Sequence, residues 1–393
     1  MNKYILNTGV QDFINKNLSA DISSLLLKGA HFKDVSTPEL AEQIESKKRS
    51  QKKLPTWFNT EDIYYPNKLN IEQTSSESTA QYKASLVDGK KLLDLTGGFG
   101  VDSFYFSKKV DEVYHCEIDE NLSQIASHNF EKLGIKNIQS IAKNGIEFLK
   151  ESNFHFDYIY IDPARRDNSK SRVFLLQDCT PDILNILPTL LQRTLYLLVK
   201  TSPLLDIKKG IEDLKYVQEI HVVSVNNEVK ELLWKLTSEE NQNPVIKTIN
   251  LKKENDVIFN FNFDDEQHNS PKLGLPEKYL YEPNASILKS GAFTTIGKKL
   301  DLLKLHPHTH LYTSNMLIDF PGRRFEVLKT VAFNKKTIKK ELSNKKANIT
   351  TRNFPDSANK IRERFKVKDG GDLYVFFCTN LNNEKLVVFC KKA

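Results

Sequence analysis

The spacing of apolar residues along the chain changes twice. In VQDFINKNLSADISSLLLK, residues Phe13, Ile14, Leu18, Ile22, Leu25 and Leu26 recur at helical intervals, which predicts an N-terminal helix. A second helix is expected to begin at Ser36-Thr37-Pro38-Glu39, where a hydroxyl cap precedes a proline in the first turn. From about residue 91 to 240 the pattern becomes short apolar runs alternating with helical stretches. KLLDLT (91–96), EVYHCEI (112–118), NIQSIA (137–142), FDYIYID (156–162), TLYLLVK (194–200) and EIHVVSV (219–225) read as buried strands. Helices are expected around 101–109, 121–133, 145–151 and 181–192. That alternation predicts an α/β fold with a mostly parallel sheet covered by helices on both faces. ELLWKLT (231–237), after the turn signal Asn226-Asn227, is expected to add an antiparallel strand at its end.

Residues 241–275 are polar and Asn/Asp-rich, with two short strand patterns, VIKTINL and VIFNFNF. A boundary is expected between 240 and 280, followed by a smaller α+β unit. Its core signals are HLYTSN (310–315), RFEVLKTVAF (324–333), DLYVFFCT and EKLVVFC, with helices at TIKKEL and around 356–366. The reading divides the chain at 1–75, 76–240, 241–325 and 326–393.

Composition narrows the class. With 393 residues, 39% hydrophobic and 27% charged, the chain can build more than one core. No apolar stretch approaches a membrane span, and the N-terminus lacks the h-region of a secretory signal. Cys116, Cys179, Cys378 and Cys390 are widely separated, which supports neither a disulfide scaffold nor a zinc ribbon. The expectation is a cytoplasmic protein with free thiols and no metal. His306, His308 and His310 alternate, but Pro307 interrupts them and no acid or Cys cluster follows.

The strongest motif is Asp94-Leu95-Thr96-Gly97-Gly98-Phe99-Gly100-Val101-Asp102, a turn between the first strand and the next helix. Open parallel sheets bind ligands at this turn, and glycine lets a ligand approach the backbone. Ser103 stands where a dinucleotide fingerprint has its third glycine, so an NAD-type site is the weaker reading. Asp94 ends the strand, where a carboxylate can receive an ammonium group. Glu117, with Ile118 after it, ends the second strand, where an acid can accept both hydroxyls of a ribose. Lys143-Asn144-Gly145 follows the third strand and is placed to meet an adenine edge. An amino-acid head, a ribose and an adenine without phosphate describe S-adenosylmethionine. Residues 91–240 accordingly resemble a class I S-adenosylmethionine-dependent methyltransferase with a Rossmann-like sheet. The resemblance implies cofactor contacts at Asp94, Thr96, Gly97, Gly98, Gly100, Glu117, Ile118, Asn144 and Gly145, with Thr96 replacing the first glycine that many members carry.

The fourth strand ends in Asp162-Pro163-Ala164-Arg165-Arg166-Asp167. It resembles the Asp/Asn-Pro-Pro-aromatic loop of amino-group methyltransferases and the Asp-Pro-Pro-Arg loop of some tRNA guanine methyltransferases. The resemblance implies catalytic roles for Asp162, Pro163 and Arg165 and a substrate contact at Arg166. Ala164 replaces the second proline, and Arg165 stands where an aromatic would stack, which leaves the target atom open. Before the first strand, Glu72 to Ala80 is rich in hydrogen-bonding groups. Gln73, Ser76 and Thr79 are candidates to close the pocket, against the reading that the segment only starts a helix.

Charge is concentrated near the C-terminus. Between Lys329 and Lys368, 13 Lys/Arg face 3 Asp/Glu, so this stretch carries +10 where the whole chain carries +7. Such clustering marks a polyanion-binding face, with Lys345, Lys346 and Arg352 as candidate contacts. KKANITTRNFPDSANKIRERFKVKDGGDLYVFFCT resembles the THUMP-like domain of certain bacterial methyltransferase-fold proteins, and the segment around YLYEPNASILKSGAF (279–293) is similar to the small ferredoxin-like domain seen beside it. THUMP domains bind RNA, so the resemblance implies a methyltransferase acting on tRNA or rRNA at a purine nitrogen. Methylation of DNA or of a small molecule, and an RNA-binding protein with a regulatory or vestigial cofactor fold, stay open.

Overall fold

The N-terminal apolar periodicity yields two helices where the sequence predicts one. In a computed structural model of the chain, which describes all residues except 30–31, 166–174 and 269, they are α1 (Thr8–Lys16) and α2 (Ile22–Lys28). Asn17 turns its Nδ2 back onto the Phe13 carbonyl and Asp21 accepts the Ser24 N–H, each at an ordinary hydrogen-bond length. These local bonds offer the backbone an alternative to continuing the helix. α3 (Thr37–Lys53) starts as the sequence predicts, with Ser36 and Glu39 forming a reciprocal capping box. Short helices α4 (Pro55–Asn59), α5 (Lys68–Gln73) and α6 (Glu77–Ala84) lead to the sheet.

The alternating region then runs β1 (Lys91–Asp94), α7 (Val101–Phe106), β2 (Glu112–Cys116), α8 (Glu120–Lys132), β3 (Ile138–Ile141), α9 (Gly145–Glu151) and β4 (Phe156–Ile161). A two-residue ladder follows, β5 (Ala164–Arg165) with β6 (Cys179–Thr180), then α10 (Ile183–Leu191), β7 (Thr194–Thr201) and α11 (Ile207–Leu214). The last strands are β8 (Val217–Val225), β9 (Glu228–Leu236), β10 (Val245–Leu251) and β11 (Val257–Asn262). Nine of them form one mixed, mostly parallel sheet in the order β11-β10-β8-β9-β7-β4-β1-β2-β3. β1 is parallel to both β2 and β4. Strand order therefore reverses at β1, and the crevice beyond the carboxyl ends of β1 and β4 is the switch point where such sheets hold ligands.

β9 is antiparallel to β7, as the sequence predicts, but lies inside the sheet rather than at its end. Asn226 and Asn227 both take positive φ, the left-handed pair a tight hairpin needs. β10 and β11 extend the same sheet: β10 runs parallel to β8 and antiparallel to β11. The sequence reading places these two strands with the C-terminal unit, and by compactness residues 243–393 do fall together. Their alternation identifies strands but not the sheet edge they join.

By compactness the chain divides into a first unit of residues 1–218 and 232–242 and a second of residues 219–231 and 243–393. In the second, α12 (Phe263–Gln267), β12 (Tyr279–Pro283), α13 (Ala285–Ser290), α14 (Thr295–Lys299), β13 (Leu303–Lys304) and β14 (Tyr312–Ser314) precede β15 (Gly322–Ala332). α15 (Lys335–Leu342), β16 (Asn348–Arg352), α16 (Ala358–Phe365), β17 (Tyr374–Thr379) and β18 (Lys385–Lys392) complete it. Its seven strands order as β13-β14-β12-β15-β18-β17-β16. Ile338, Leu342, Ile361 and Phe365 bury α15 and α16 against Ile349, Val375 and Phe377. Among the described residues no helix is long and apolar enough to cross a membrane, and all four cysteines are free and buried.

Candidate active site

The turn after β1 is held from below. Asp94 is 1% exposed. Its Oδ2 accepts the Ser103 hydroxyl at 2.6 Å and its Oδ1 the Thr96 N–H at 3.1 Å. Strand register sets His115 beside Asp94, and His115 Nδ1 lies 3.0 Å from Ser103 Oγ. With the Ser103 proton directed at Asp94, Nδ1 is the protonated nitrogen, and Nε2 is buried without a partner among the described residues. A Cβ at Gly97 would sit 2.1 Å from the His115 ring, so only glycine fits there. At Gly98 (φ +56) an added Cβ would meet nothing nearer than Thr96 O at 4.0 Å, so the turn is open on that side.

Glu117 is tied directly to this turn. Its Oε2 accepts the Gly98 N–H and its Oε1 the Asp119 N–H, both at 2.8 Å. Ile118, immediately after it, is an apolar side chain left 71% exposed. Asn144 caps α9 through Oδ1, which accepts the Ile146 N–H at 2.9 Å. A Cβ at Gly145 would lie 2.6 Å from Leu95 O, so α9 begins against the glycine turn. The structure thus gathers Asp94, Thr96, Gly97, Gly98, Gly100, Glu117, Ile118, Asn144 and Gly145 around the carboxyl ends of β1 to β3. Asp94 lies beneath the turn it holds rather than on its surface.

Burial pushes the Asp94 carboxyl up to about 7, against the Ser103 hydrogen bond, and pushes the His115 imidazole down to about 4. The signs follow from linkage. Between its unfolded value near 3.8 and about 7, Asp94 binds a proton only when folded, so its contribution to stability falls as pH rises through that window. His115 does the reverse: stability is lost as pH falls from 6.5 toward 4. Asp94→Asn removes the first effect alone. Its unfolding free energy should gain about 2–4 kcal/mol on the wild type between pH 5 and pH 8. Denaturation curves that stay parallel across that range would show that Asp94 is not held neutral.

The fourth strand delivers the next group. β4 and β7 pair Ile161 with Val199, so the following residues, Asp162 and Lys200, emerge side by side. The Asp162 N–H donates to Thr96 Oγ1 at 2.8 Å, which fastens this loop to the glycine turn. Asp162 Oδ2 pairs with Lys200 Nζ, and Oδ1 has no partner among the described residues. Pro163 is buried behind it, and the Arg165 backbone pairs with Cys179. Arg166 lies outside the described residues. Sequence reasoning misses Lys200. Its signal is a lone cation at the carboxyl end of an apolar strand, where open sheets place functional groups.

A second charge cluster stands behind the turn. Lys83, 0% exposed, lies 3.2 Å from Asp102 Oδ1 and donates to Ser75 Oγ at 2.9 Å. Ser75 and Tyr160 hydroxyls both donate to Asp102 Oδ2, at 2.8 and 2.9 Å. Burial raises the Asp102 carboxyl, but Lys83, Lys200 and these hydroxyls outweigh it and hold it below the usual range. Within Glu72–Ala80, then, Ser75 reaches the site. Ser76 caps α6, Thr79 is buried with its hydroxyl on Ser76 O, and Gln73 is exposed at the end of α5.

In the second unit many of the basic residues are internally paired. Arg352 and Arg323 both clamp Glu282, which is 3% exposed. Arg352 is therefore anchored in the fold, with 33% of its side chain exposed. Lys329 pairs with Glu341, Arg362 with Asp369, and Arg364 with Asp356. Lys335, Lys336, Lys339 and Lys340 stand on the exposed side of α15, opposite buried Ile338 and Leu342, and Lys345 and Lys346 are exposed just after it. His306 Nδ1 accepts the His308 N–H, and Nε2 meets Asn383 at 3.0 Å. Among the described residues no group of three or more His, Cys, Asp or Glu side chains is placed to hold a metal.

Comparison with known proteins agrees with this layout. Residues 66–185 match the family described as conserved hypothetical protein 95, residues 279–321 a ferredoxin-like domain and residues 322–392 a THUMP-like domain. An "uncharacterized RNA methyltransferase" of Mycoplasma mobile is 27% identical over 193 residues, 46% of this chain. The chain spans about half the length of that curated relative, 52%. A crystal structure described as a "putative methyltransferase" from Porphyromonas gingivalis W83 is 33% identical, with a TM-score of 0.90 over 100% of this chain and 98% of the other. Identity sustained over the full length of both, with the three domains in this order, places this chain in the family of the Porphyromonas gingivalis protein, a class I methyltransferase fold followed by ferredoxin-like and THUMP-like segments.

Proposed function

We propose that this chain is an S-adenosylmethionine-dependent methyltransferase acting on a purine base nitrogen of tRNA or rRNA. The observation that carries the reading is Asp162. It ends β4 beside the glycine turn, bonded to Thr96, with one carboxylate oxygen on Lys200 and the other unpartnered among the described residues.

The residues around the turn suit the cofactor. The turn is open at Gly98, where no Cβ intrudes. Glu117 uses one lone pair of each oxygen on backbone N–H groups and keeps others for a ribose diol. Ile118 offers an exposed apolar face to a flat ring, and Asn144 borders it. When bound, S-adenosylmethionine supplies a methyl group on a cationic sulfur, an electrophile that needs only an aligned lone pair. Asp94 acts through the turn, fixing Thr96 and Ser103. Asp162 Oδ1 accepts a hydrogen bond from the target N–H and so orients the nitrogen lone pair, while Lys200 fixes the rotamer of Asp162. The task is positioning, which by itself yields large rate factors. Arg165 and Arg166 are proposed to meet the substrate by stacking or phosphate pairing.

The RNA assignment draws on the exposed lysines of the THUMP-like segment and on the name of the Mycoplasma relative. Lys345 and Lys346 are the proposed phosphate contacts. Neutralising both to Gln should weaken RNA retention and lower the log–log salt slope by about 1.5. An unchanged slope would remove them from the interface. The function itself is tested by mass spectrometry of nucleosides from cellular RNA with and without the protein. One methylated purine should vanish in its absence. RNA and DNA profiles that both stay unchanged would refute the proposal.

A further inference from the structure

Within the second unit, a cavity of about 380 Å³ opens beside α14 and β13. Pro271, Lys272, Thr294, Lys298, Lys304 and Tyr312 are among its lining residues; none is a carboxylate, and Lys272 is paired at the surface with Asp301 at 2.9 Å. Lys304 is the unusual member. It is 2% exposed, and its Nζ has no hydrogen bond or ion pair among the described residues. Only the faces of Phe293 and Tyr312 lie near it, at 5.5 and 5.9 Å. The acid that influences it, Glu266, is engaged elsewhere, accepting the Thr294 and Thr295 N–H groups. The Tyr312 hydroxyl is likewise turned away, onto the Phe293 carbonyl. Burial accordingly draws the Lys304 ammonium down to about 8, with Glu266 opposing.

A buried cation is costly unless paired. Here the pair is missing, and a cavity stands in its place. We infer that this cavity is an anion site that takes a terminal phosphate group, with Lys304 as its floor and Lys298, Lys272 and the Thr294 hydroxyl around it. A terminal phosphate is favoured over one inside a strand by shape and charge. An internal phosphodiester carries a nucleoside on each side and a single negative charge, whereas a phosphomonoester presents its oxygens alone and carries up to two negative charges. A free nucleotide and the phosphorylated end of an RNA share this chemistry. The inference does not depend on methyl transfer.

The test compares inorganic phosphate, AMP and adenosine by calorimetry, and 5′-phosphorylated with 5′-hydroxyl RNA of one sequence by retention. Inorganic phosphate and AMP should bind saturably and adenosine should not. Preference for the phosphorylated RNA would identify an RNA end as the source, and binding of AMP with no such preference a free nucleotide. Lys304→Met should weaken AMP binding by about tenfold or more, while Lys253→Gln, at an exposed lysine outside both sites, leaves it unchanged. Should Lys304→Met fail to fold, acylation of wild-type lysines read by mass spectrometry replaces it. Phosphate should protect Lys304 and leave Lys253 reactive. No saturable phosphate binding, equal affinity in Lys304→Met, or Lys304 labelled equally with and without phosphate would overturn the site.

Discussion

Asp162→Ala is expected to lower methyl transfer by about 10²–10⁴-fold while cofactor binding stays nearly intact. The reason lies in how the residue is held. Its backbone N–H on Thr96 belongs to the loop and survives the substitution, so the glycine turn keeps its shape. What disappears is the oxygen that would orient the target nitrogen, together with one partner of Lys200. Asp162→Asn keeps an acceptor but loses the charge that fixes Lys200, and should fall between alanine and wild type. Lys200→Met should lower kcat more than it raises KM, because the proposed role of Lys200 is to position Asp162. Single-turnover kinetics with calorimetry on the same variants reads these changes separately. An Asp162→Ala enzyme with wild-type turnover would remove Asp162 from the reaction.

The largest effect on stability is expected at Lys83. Lys83→Met leaves buried Asp102 without its nearest cation, with Lys200 the remaining one, and removing one partner of a buried pair costs about 3–5 kcal/mol. Ser75 also loses the donor on its oxygen, while Tyr160 and Ser75 still donate to Asp102 and soften the loss. A marked fall in the denaturant midpoint should follow. Replacing Asp102 by Leu in the same chain should recover part of it, since an apolar pair carries no desolvation cost. A midpoint unchanged in Lys83→Met would mean that water reaches Asp102 and screens it.

Much of this arrangement is legible in the chain itself, for identifiable reasons. The strands of the first sheet are short apolar runs between turn signals, a pattern with few competing readings. The glycine turn is legible because Gly97 leaves no room for a Cβ beside His115 and Gly98 takes a positive φ that favours glycine. The adjacency of Asp162 and Lys200 is not legible. It depends on β4 and β7 being neighbours, which sheet order decides and local pattern does not. Ser75 escapes for a related reason: its neighbours Ser76 and Thr79 carry the same groups, and only the fold shows that those two close a helix cap. Arg352 looks from the sequence like one more cation in a basic run. Its partner, Glu282, lies 70 residues earlier.

The seven-stranded sheet bears on how this protein can be dissected. The two similarity segments meet between residues 321 and 322, yet β12 on one side is hydrogen-bonded to β15 on the other, Leu280 opposite Phe325. Leu280, Leu305 and Leu311 share one apolar cluster with Phe325, Phe376 and Val388. Severing the chain at that seam would strip two strands of their neighbours and lay bare a sticky rim prone to self-association. What heredity reads as two modules, mechanics makes one body, to be expressed or deleted as a whole.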